Sequence, residues 1–472
     1  MGGEGSDGAT VAVLDVGKSN VKLSACTTLG HVVETLSTPN PVRPGPPWAH
    51  HDLAALNAFV LDGLAALSRR HPLTDFVASG HGSGGLLVGE NPDAGGTGLV
   101  LPMVDYEQPL PPGLAEAYAP QSGGFFDRGS AVMMAATHTA RQMFWAETAE
   151  PERFAAARWC LGIPQYWAWR LSGVAVSEAS TLGAQSHLWN VKEAHWSPIV
   201  AARGWGRLMP PFARAADTLG PIRPALCARH GLPPLRVHAG AHDSSVSFHR
   251  TQAAGLSDFV GISTGTWIVA MAGGIDLSRL DEARGMTLNA DMEGAPLAGA
   301  LTMGGREYAA VAGPQPPGAM ADPAVLAGLV ARGTFALPTF GSNDGQFPGS
   351  AGRGRLHGPP PEIEGERHAL AVLSTALLTK ACGDTLAPDR LWVLDGSFLR
   401  DPAFAGLVAA LRPGRETKLN PETYGIASGA ALLCRRDAAP VPLDLQPAPA
   451  LALPGLTDYA AQWHQLAEGP RR

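Results

Sequence analysis

The sequence predicts a two-domain α/β protein whose halves repeat one fold and flank a catalytic cleft. Two short segments and one repeated element order carry that prediction. Asp15-Val-Gly-Lys-Ser-Asn-Val-Lys22 and Gly261-Ile-Ser-Thr-Gly-Thr-Trp267 each join one apolar β-branched run to another. Each therefore reads as strand, tight polar turn, strand. Glycine permits a sharp turn and a close approach to a ligand, while Ser, Thr, Asn and Lys supply donors for phosphate oxygens. The device occurs once near the N-terminus and once just past the middle, as two related halves holding one phosphate chain would require.

The elements follow in order. Three strands open the chain over 11–14, 21–27 and 32–36, and the proline-rich stretch 39–47 breaks regular structure. The spacing of Leu53, Leu56, Phe59, Val60 and Leu64 predicts a helix over 52–69, followed by a strand at 75–78. Strand, strand, strand, helix, strand is the opening pattern of ribonuclease H-like domains, the unit duplicated in actin and hexokinase. The second half repeats it more loosely, with strands at 259–262, 267–272 and 286–289, a helix over 369–386 and a strand at 391–394. His238-Ala-Gly-Ala-His-Asp243 reads as a crossover. The expected division is an N-terminal domain over 1–245, a C-terminal domain over 246–436, and a Pro/Ala-rich arm over 437–472 ending in a short helix at 457–466.

Bulk composition narrows the class. At 472 residues the chain exceeds what one core usually supports. No uninterrupted apolar run of about 18 residues occurs, so no membrane partner is expected. The net charge is -7, from 35 basic and 42 acidic side chains without a long basic run, so no nucleic-acid partner is expected. The five cysteines form no CxxC pair and sit singly in apolar stretches, as buried free thiols of a reducing cytoplasm do. Met1-Gly-Gly-Glu-Gly-Ser6 has neither the basic region nor the apolar core of a secretory leader, so the expected location is cytoplasmic.

One motif is set aside. Gly80-His-Gly-Ser-Gly-Gly85 matches GxGxxG, and Asp105 lies twenty positions beyond it, where a ribose-binding acid would stand. A dinucleotide fold needs a helix directly after the glycines, because its N-terminus binds the pyrophosphate. Leu86-Leu-Val-Gly-Glu-Asn-Pro reads as strand and turn instead. No GxxxxGK[ST] string occurs, so a P-loop is excluded.

Two carboxylates remain. Asp243 precedes Ser244-Ser245, a plausible helix start, where the duller role is an N-cap. The paired phosphate turns favour a second role, since phosphoryl transfer to an alcohol needs a base near the incoming hydroxyl. Asp15 ends the first strand beside the first turn. It is either a turn former or a holder of hydrated Mg²⁺, which takes one or two carboxylates with phosphates and waters. Leu394-Asp-Gly-Ser-Phe398, the small-residue helix opened by Tyr424-Gly-Ile-Ala-Ser-Gly, and Met303-Gly-Gly-Arg-Glu-Tyr308 are turns or helix-packing sites, or the wall of a base and ribose.

With these residues in view, the chain resembles the FGGY family of carbohydrate kinases over roughly residues 11–433. Asp15-x-Gly-x-Ser-Asn-x-Lys22 is similar to the family's first phosphate loop and Ser263-Thr-Gly-Thr266 to its second. Gly240-Ala-His-Asp243 resembles the segment carrying the family's catalytic aspartate. Pro164-Gln-Tyr-Trp-Ala-Trp-Arg-Leu-Ser-Gly173, Glu178-Ala-Ser-Thr181 and Leu188-Trp189 resemble a stretch found especially in the rhamnulokinase and fuculokinase branches. Each motif alone is weak, but their shared order is specific. The chain departs from the pattern at Asp395-Gly-Ser397, where Gly-Gly-Gly is common, at Val104-Asp-Tyr-Glu107, which lacks an Arg, and at Lys18, where many relatives have Thr or Ser.

The resemblance implies an ATP-dependent kinase that phosphorylates a primary hydroxyl of a ketose such as L-fuculose, L-rhamnulose or a pentulose. Its cofactors would be ATP and Mg²⁺. Asp243 would be the general base and Asp15 would help hold Mg²⁺. Gly17, Lys18, Ser19, Asn20 and Lys22 would meet the terminal phosphates, and Ser263, Thr264, Gly265 and Thr266 the phosphate chain. Gly304, Gly396, Ser397 and Gly429 would line the nucleotide. Gly82, Ser83, Gly84, Asp105, Tyr106, Gln165 and His242 would form the sugar wall. The alternatives are a catalytically silent nucleotide- or sugar-binding regulator and an actin-like ATPase. The oligomeric state stays open between monomer and homodimer.

Overall fold

The computed structural model describes residues 8, 10–363, 365–422, 424–435 and 439–469. The segment Met1 to Ser6 and two parts of the arm, 437–438 and 470–472, lie outside them. The chain divides into two compact units. Unit 1 is Met1–Gly255, Leu288–Pro296 and Tyr424–Val441, and unit 2 is Leu256–Thr287, Leu297–Thr423 and Pro442–Arg472.

In unit 1 the strands Val11–Val16, Asn20–Cys26 and Val32–Pro39 form an antiparallel meander. Asp75–Gly80 then returns parallel to Val11–Val16, and Arg236–His238 and Ala241–His242 both pair in parallel with Asp75–Gly80. Side chains alternate across a strand, and the first strand uses both faces. Ala12, Leu14 and Val16 enter the core built with Leu56, Val60 and Leu64 of the helix Leu53–Ser68. Val11 and Val13 enter a second core with Ala427, Ala430 and Ala431 of the helix Gly425–Leu432. A strand covered on both faces reads as a continuous apolar run, which is why it was legible.

Unit 2 repeats the order. Phe259–Thr264, Ile268–Gly273 and Pro296–Thr302 are antiparallel neighbours, and Leu391–Gly396 lies parallel to Phe259–Thr264. Met286–Ala290 is a strand, as expected, and a strand the sequence analysis did not anticipate, Pro296–Thr302, pairs with Ile268–Gly273. Pro-Leu-Ala-Gly-Ala-Leu-Thr is poor in β-branched and aromatic residues, so its strand character was not visible locally. The helix Glu366–Leu386 is long and apolar enough to cross a membrane, with a mean hydropathy of 1.2, yet 78% of that window is buried, as in a core helix. The final helix, Leu456–Glu468, buries Leu456, Tyr459 and Trp463 in the same core.

Candidate active site

The first polar turn is built as a hairpin. Val16 pairs with Val21, and Gly17 N–H donates to Asn20 O at 3.0 Å. Asn40 pins the turn from the side: its Nδ2 donates to Gly17 O at 2.9 Å and its N–H to Ser19 O at 2.8 Å. Ser19 and Asn20 are left exposed at the tip. Asp15 and Lys22 face each other across the strands. Burial and then Asp243 raise the Asp15 pKa to about 7, against a downward pull from Lys22. A buried carboxyl this reluctant to ionise suits a site that gains a cation, and its donor type fits Mg²⁺. Among the described residues no group of three His, Cys, Asp or Glu could hold a metal by itself, so phosphate oxygens would have to complete the set.

Asp243 is the first residue of the helix Asp243–Gln252, and the N-cap position belongs to His242. The capping role weighed for Asp243 is therefore not the one it has. Its Oδ1 accepts from Ser244 N–H at 2.6 Å and Ser244 Oγ–H at 3.2 Å, and His242 Nε2 lies 3.2 Å from the same oxygen. Its Oδ2 makes no hydrogen bond among the described residues. Burial lowers the His242 pKa against the opposing effect of Asp243.

The backbone before Asp243 is held on several sides. Gly240 has φ +77°, and a Cβ there would stand 2.3 Å from Ala78 O, so only glycine fits. Gln165, expected in the sugar wall, is buried and donates its Nε2 to Ala239 O and Gly240 O at 3.2 and 3.1 Å. It fixes the crossover instead. His242 N–H donates to Ser180 Oγ at 3.1 Å. Ser180 is in turn gripped by the buried Glu178, whose carboxylate accepts from Ser180 Oγ, Thr181 Oγ1 and both of their N–H groups within 2.7–2.9 Å.

Beside this lies a polar cluster. Lys18 Nζ pairs with Asp105 Oδ1, stands 3.9 Å from Glu107 and lies 5.0 Å over the Tyr106 ring. The structure thus joins Lys18 to two sugar-wall candidates and places its ammonium on Asp105, where the sequence reading aimed it at phosphate. His51 Nδ1 is 3.0 Å from Asn40 Oδ1, and its Nε2 is 3.9 Å from Asp105. His81 stands edge-on to Tyr106 at 5.3 Å, and among the described residues both of its buried ring nitrogens lack a hydrogen-bond partner. Burial takes both imidazoles down to about 4. Gly82 and Gly84 are glycines for the protein's own packing: a Cβ would stand 2.3 Å from Ala184 Cβ at the first and 2.7 Å from Ile163 and Met103 at the second. Ser83 O accepts from Gln142 Nε2 at 2.9 Å.

In unit 2 the second turn is equally tight, with Gly265 N–H donating to Trp267 O at 2.9 Å and Thr266 exposed at its tip. Ser263 is half-buried. Thr264 is buried, and its hydroxyl donates to Asp395 O at 2.7 Å, so that side chain braces the sheet rather than facing phosphate. Gly396 has φ +101° with Thr264 O 2.0 Å from any Cβ, and Gly304 is blocked by Ile268 at 2.5 Å. Both glycines serve backbone packing. Ser397 and Phe398 line a cavity of about 280 Å³ with Tyr308, His368, Asp401 and Phe404. His368 bridges Tyr308 OH at 2.8 Å and Asp401 Oδ2 at 3.2 Å. Gly429, expected near nucleotide, is buried in unit 1, where Val246 O would lie 2.3 Å from a Cβ. It is a helix-packing glycine.

Asn40, His51, His81, Glu178 and Ser180 were not singled out for these positions by the sequence reading. Glu178 and Ser180 stood in a family-like stretch without an assigned role, and the other three lie in loops or at strand ends with no local periodicity.

Comparisons with known proteins identify the family. Residues 121–248 match the N-terminal domain of the FGGY family of carbohydrate kinases, and residues 257–441 match the carbohydrate kinase FGGY C-terminal domain. The chain is 28% identical over 137 residues to the L-fuculokinase of Haemophilus influenzae, which spans 29% of this chain and only 28% of that protein. A carbohydrate kinase from Novosphingobium aromaticivorans superposes with a TM-score of 0.86 at 28% identity, covering 98% of this chain and 99% of that one. A ligand-bound xylulose kinase from Lactobacillus acidophilus superposes with a TM-score of 0.76 at 15% identity over 97% of both chains, a likeness of fold.

Proposed function

The chain belongs to the FGGY family of carbohydrate kinases, and from that premise we propose that it transfers the γ-phosphoryl group of ATP to a primary hydroxyl of a ketose, with Asp243 as general base. The observation that carries the reading is the asymmetry of the Asp243 carboxylate. Oδ1 is held by Ser244, while Oδ2 accepts no hydrogen bond among the described residues, and the carboxylate acts electrostatically on Asp15 at the end of the first strand. Oδ2 takes the hydroxyl proton as the sugar oxygen bonds to the γ-phosphorus and the bond to the ADP oxygen breaks. Mg²⁺, bound with the nucleotide, supplies neutralisation of phosphate charge, and Asp15 would hold it.

Gly17, Ser19, Asn20 and Lys22 meet the terminal phosphates in this reading, and Ser263, Gly265 and Thr266 meet the phosphate chain. The aromatic cavity of unit 2 at Tyr308 and Phe398 takes the adenosine. Asp105 and Tyr106 belong to the sugar side with His242. Similarity to a fuculokinase supports L-fuculose first, with L-rhamnulose and the pentuloses beside it.

The test is an ADP-release screen across these ketoses and the matching polyols, with the mass of the product measured. One ketose should give stoichiometric ADP and a monophosphate ester. Robust ADP release independent of any sugar would replace the kinase reading with a plain ATPase.

A further inference from the structure

We propose that His81, backed by His51, is the specificity-determining residue of the acceptor site in unit 1, and that it selects an uncharged polyol by hydrogen-bonding its hydroxyls. This rests on the reading of Asp243 as the base that receives an acceptor. Buried polar atoms are almost always hydrogen-bonded, because losing water without gaining a partner costs folding free energy. Among the described residues ten buried side-chain N or O atoms lack a partner, and three of the ten sit on His51 and His81. Four others are Nε atoms of arginines whose guanidinium groups bond elsewhere. No other described side chain leaves two such atoms open. A cost borne at one spot, beside the candidate base, is the mark of a site completed by ligand.

The charges decide the class of ligand. Lys18 is matched by Asp105, and Lys22 acts on Asp15. The groups acting on His81 are Asp243, His51, Lys18 and His242, and burial disfavours the charged form of all three imidazoles. Among the described residues a sugar acid would find no spare cation in this cluster, and it would meet the carboxylates of Asp105 and Asp243. A neutral imidazole offers one donor and one acceptor, matching a hydroxyl that does both.

The experiment uses the full chain with Mg-ATP, the best neutral ketose from the screen and an aldonate of equal chain length. Parent, His81→Ala, His81→Gln and His51→Gln are compared. In His81→Ala the sugar KM should rise roughly 10- to 100-fold, the range for losing one or two such bonds. Its KM for ATP should stay put and its Tm should hold or rise, because a buried unsatisfied group is gone. His81→Gln, which keeps a donor and an acceptor, should recover part of the loss, and His51→Gln should show a smaller rise in sugar KM. An unchanged sugar KM in His81→Ala overturns the proposal, and so does turnover of the aldonate equal to that of the ketose. Calorimetric sugar binding without ATP separates this from the kinase reading. His81-dependent binding in a parent without sugar-dependent turnover would sink the reading of Asp243 and keep the acceptor site.

Discussion

Asp243→Asn keeps the side-chain size and can still accept the Ser244 N–H bond, but it cannot take a proton at neutral pH. Because Asp243 occupies the first helical position and not the cap, its fold should be intact. We expect kcat to fall by about 10²–10⁴, the usual contribution of a general base, with an unchanged Tm. Turnover close to that of the parent would remove Asp243 from the mechanism. At the turns, Lys22→Met removes a cation and Thr266→Val removes an exposed hydroxyl at constant shape. Each should weaken catalysis by about 1–3 kcal/mol if a charge-assisted bond is lost. Thr264→Val is the instructive contrast: its hydroxyl bonds Asp395 O, so its loss should appear in Tm more than in the response to ATP. Equal ATP kinetics in Lys22→Met, Thr266→Val and parent would make both turns plain hairpins.

Elements show where buried polarity is structural. His187 stacks on His138 at 3.4 Å, just before the helix Thr139–Ala149. His187 Nδ1 lies 2.8 Å from Tyr118 OH and its Nε2 3.2 Å from Ser130 Oγ, while His138 Nε2 accepts from Met133 N–H. Burial drives both pKa values well below 6.5, helped by Arg141 and Arg128 nearby. The sign follows directly. Below pH 6.5 the unfolded chain takes up protons that the folded pair refuses, so stability present above that pH is lost as pH falls. Each histidine contributes up to about 1.4 kcal/mol per pH unit. Melts from pH 7.5 to 5.5 should therefore show a steep loss of Tm in the parent and a shallower one in His187→Gln. Equal slopes would show that the pair does not govern acid stability.

Over the whole molecule, the C-terminal arm is more than an appendage. Trp463 donates its Nε1 to Ala336 O at 2.7 Å and meets Phe347 edge-on at 5.4 Å, and Tyr459 stacks on Phe335 at 4.3 Å. Trp463→Ala should cost unit 2 about 3–5 kcal/mol, read as a lower denaturant midpoint. A shift worth under about 1 kcal/mol, ordinary for a surface site, would mean the arm only rests on the core. The first meander, the leading hairpin of the second, their polar turns, the helix Leu53–Ser68 and the crossover to Asp243 were legible in the sequence. Each is encoded by β-branched runs, glycine or apolar spacing within a few residues. Pro296–Thr302 was not, because alanine and glycine carry little strand preference of their own. Nor could a linear reading assign Leu288–Pro296 and Tyr424–Val441 to unit 1, which depends on where distant segments pack. The sequence by itself determined the family, the paired turns and the carboxylate on which the proposed chemistry rests. Only the tertiary structure decided that Lys18 meets Asp105, that Gln165 and Glu178 hold the backbone around Asp243, that Gly429 packs helices, and that His81 is left without a partner. The physical reason is that a backbone preference is local, whereas a side chain's partner is whichever residue, dozens of positions away, the fold brings within hydrogen-bond reach.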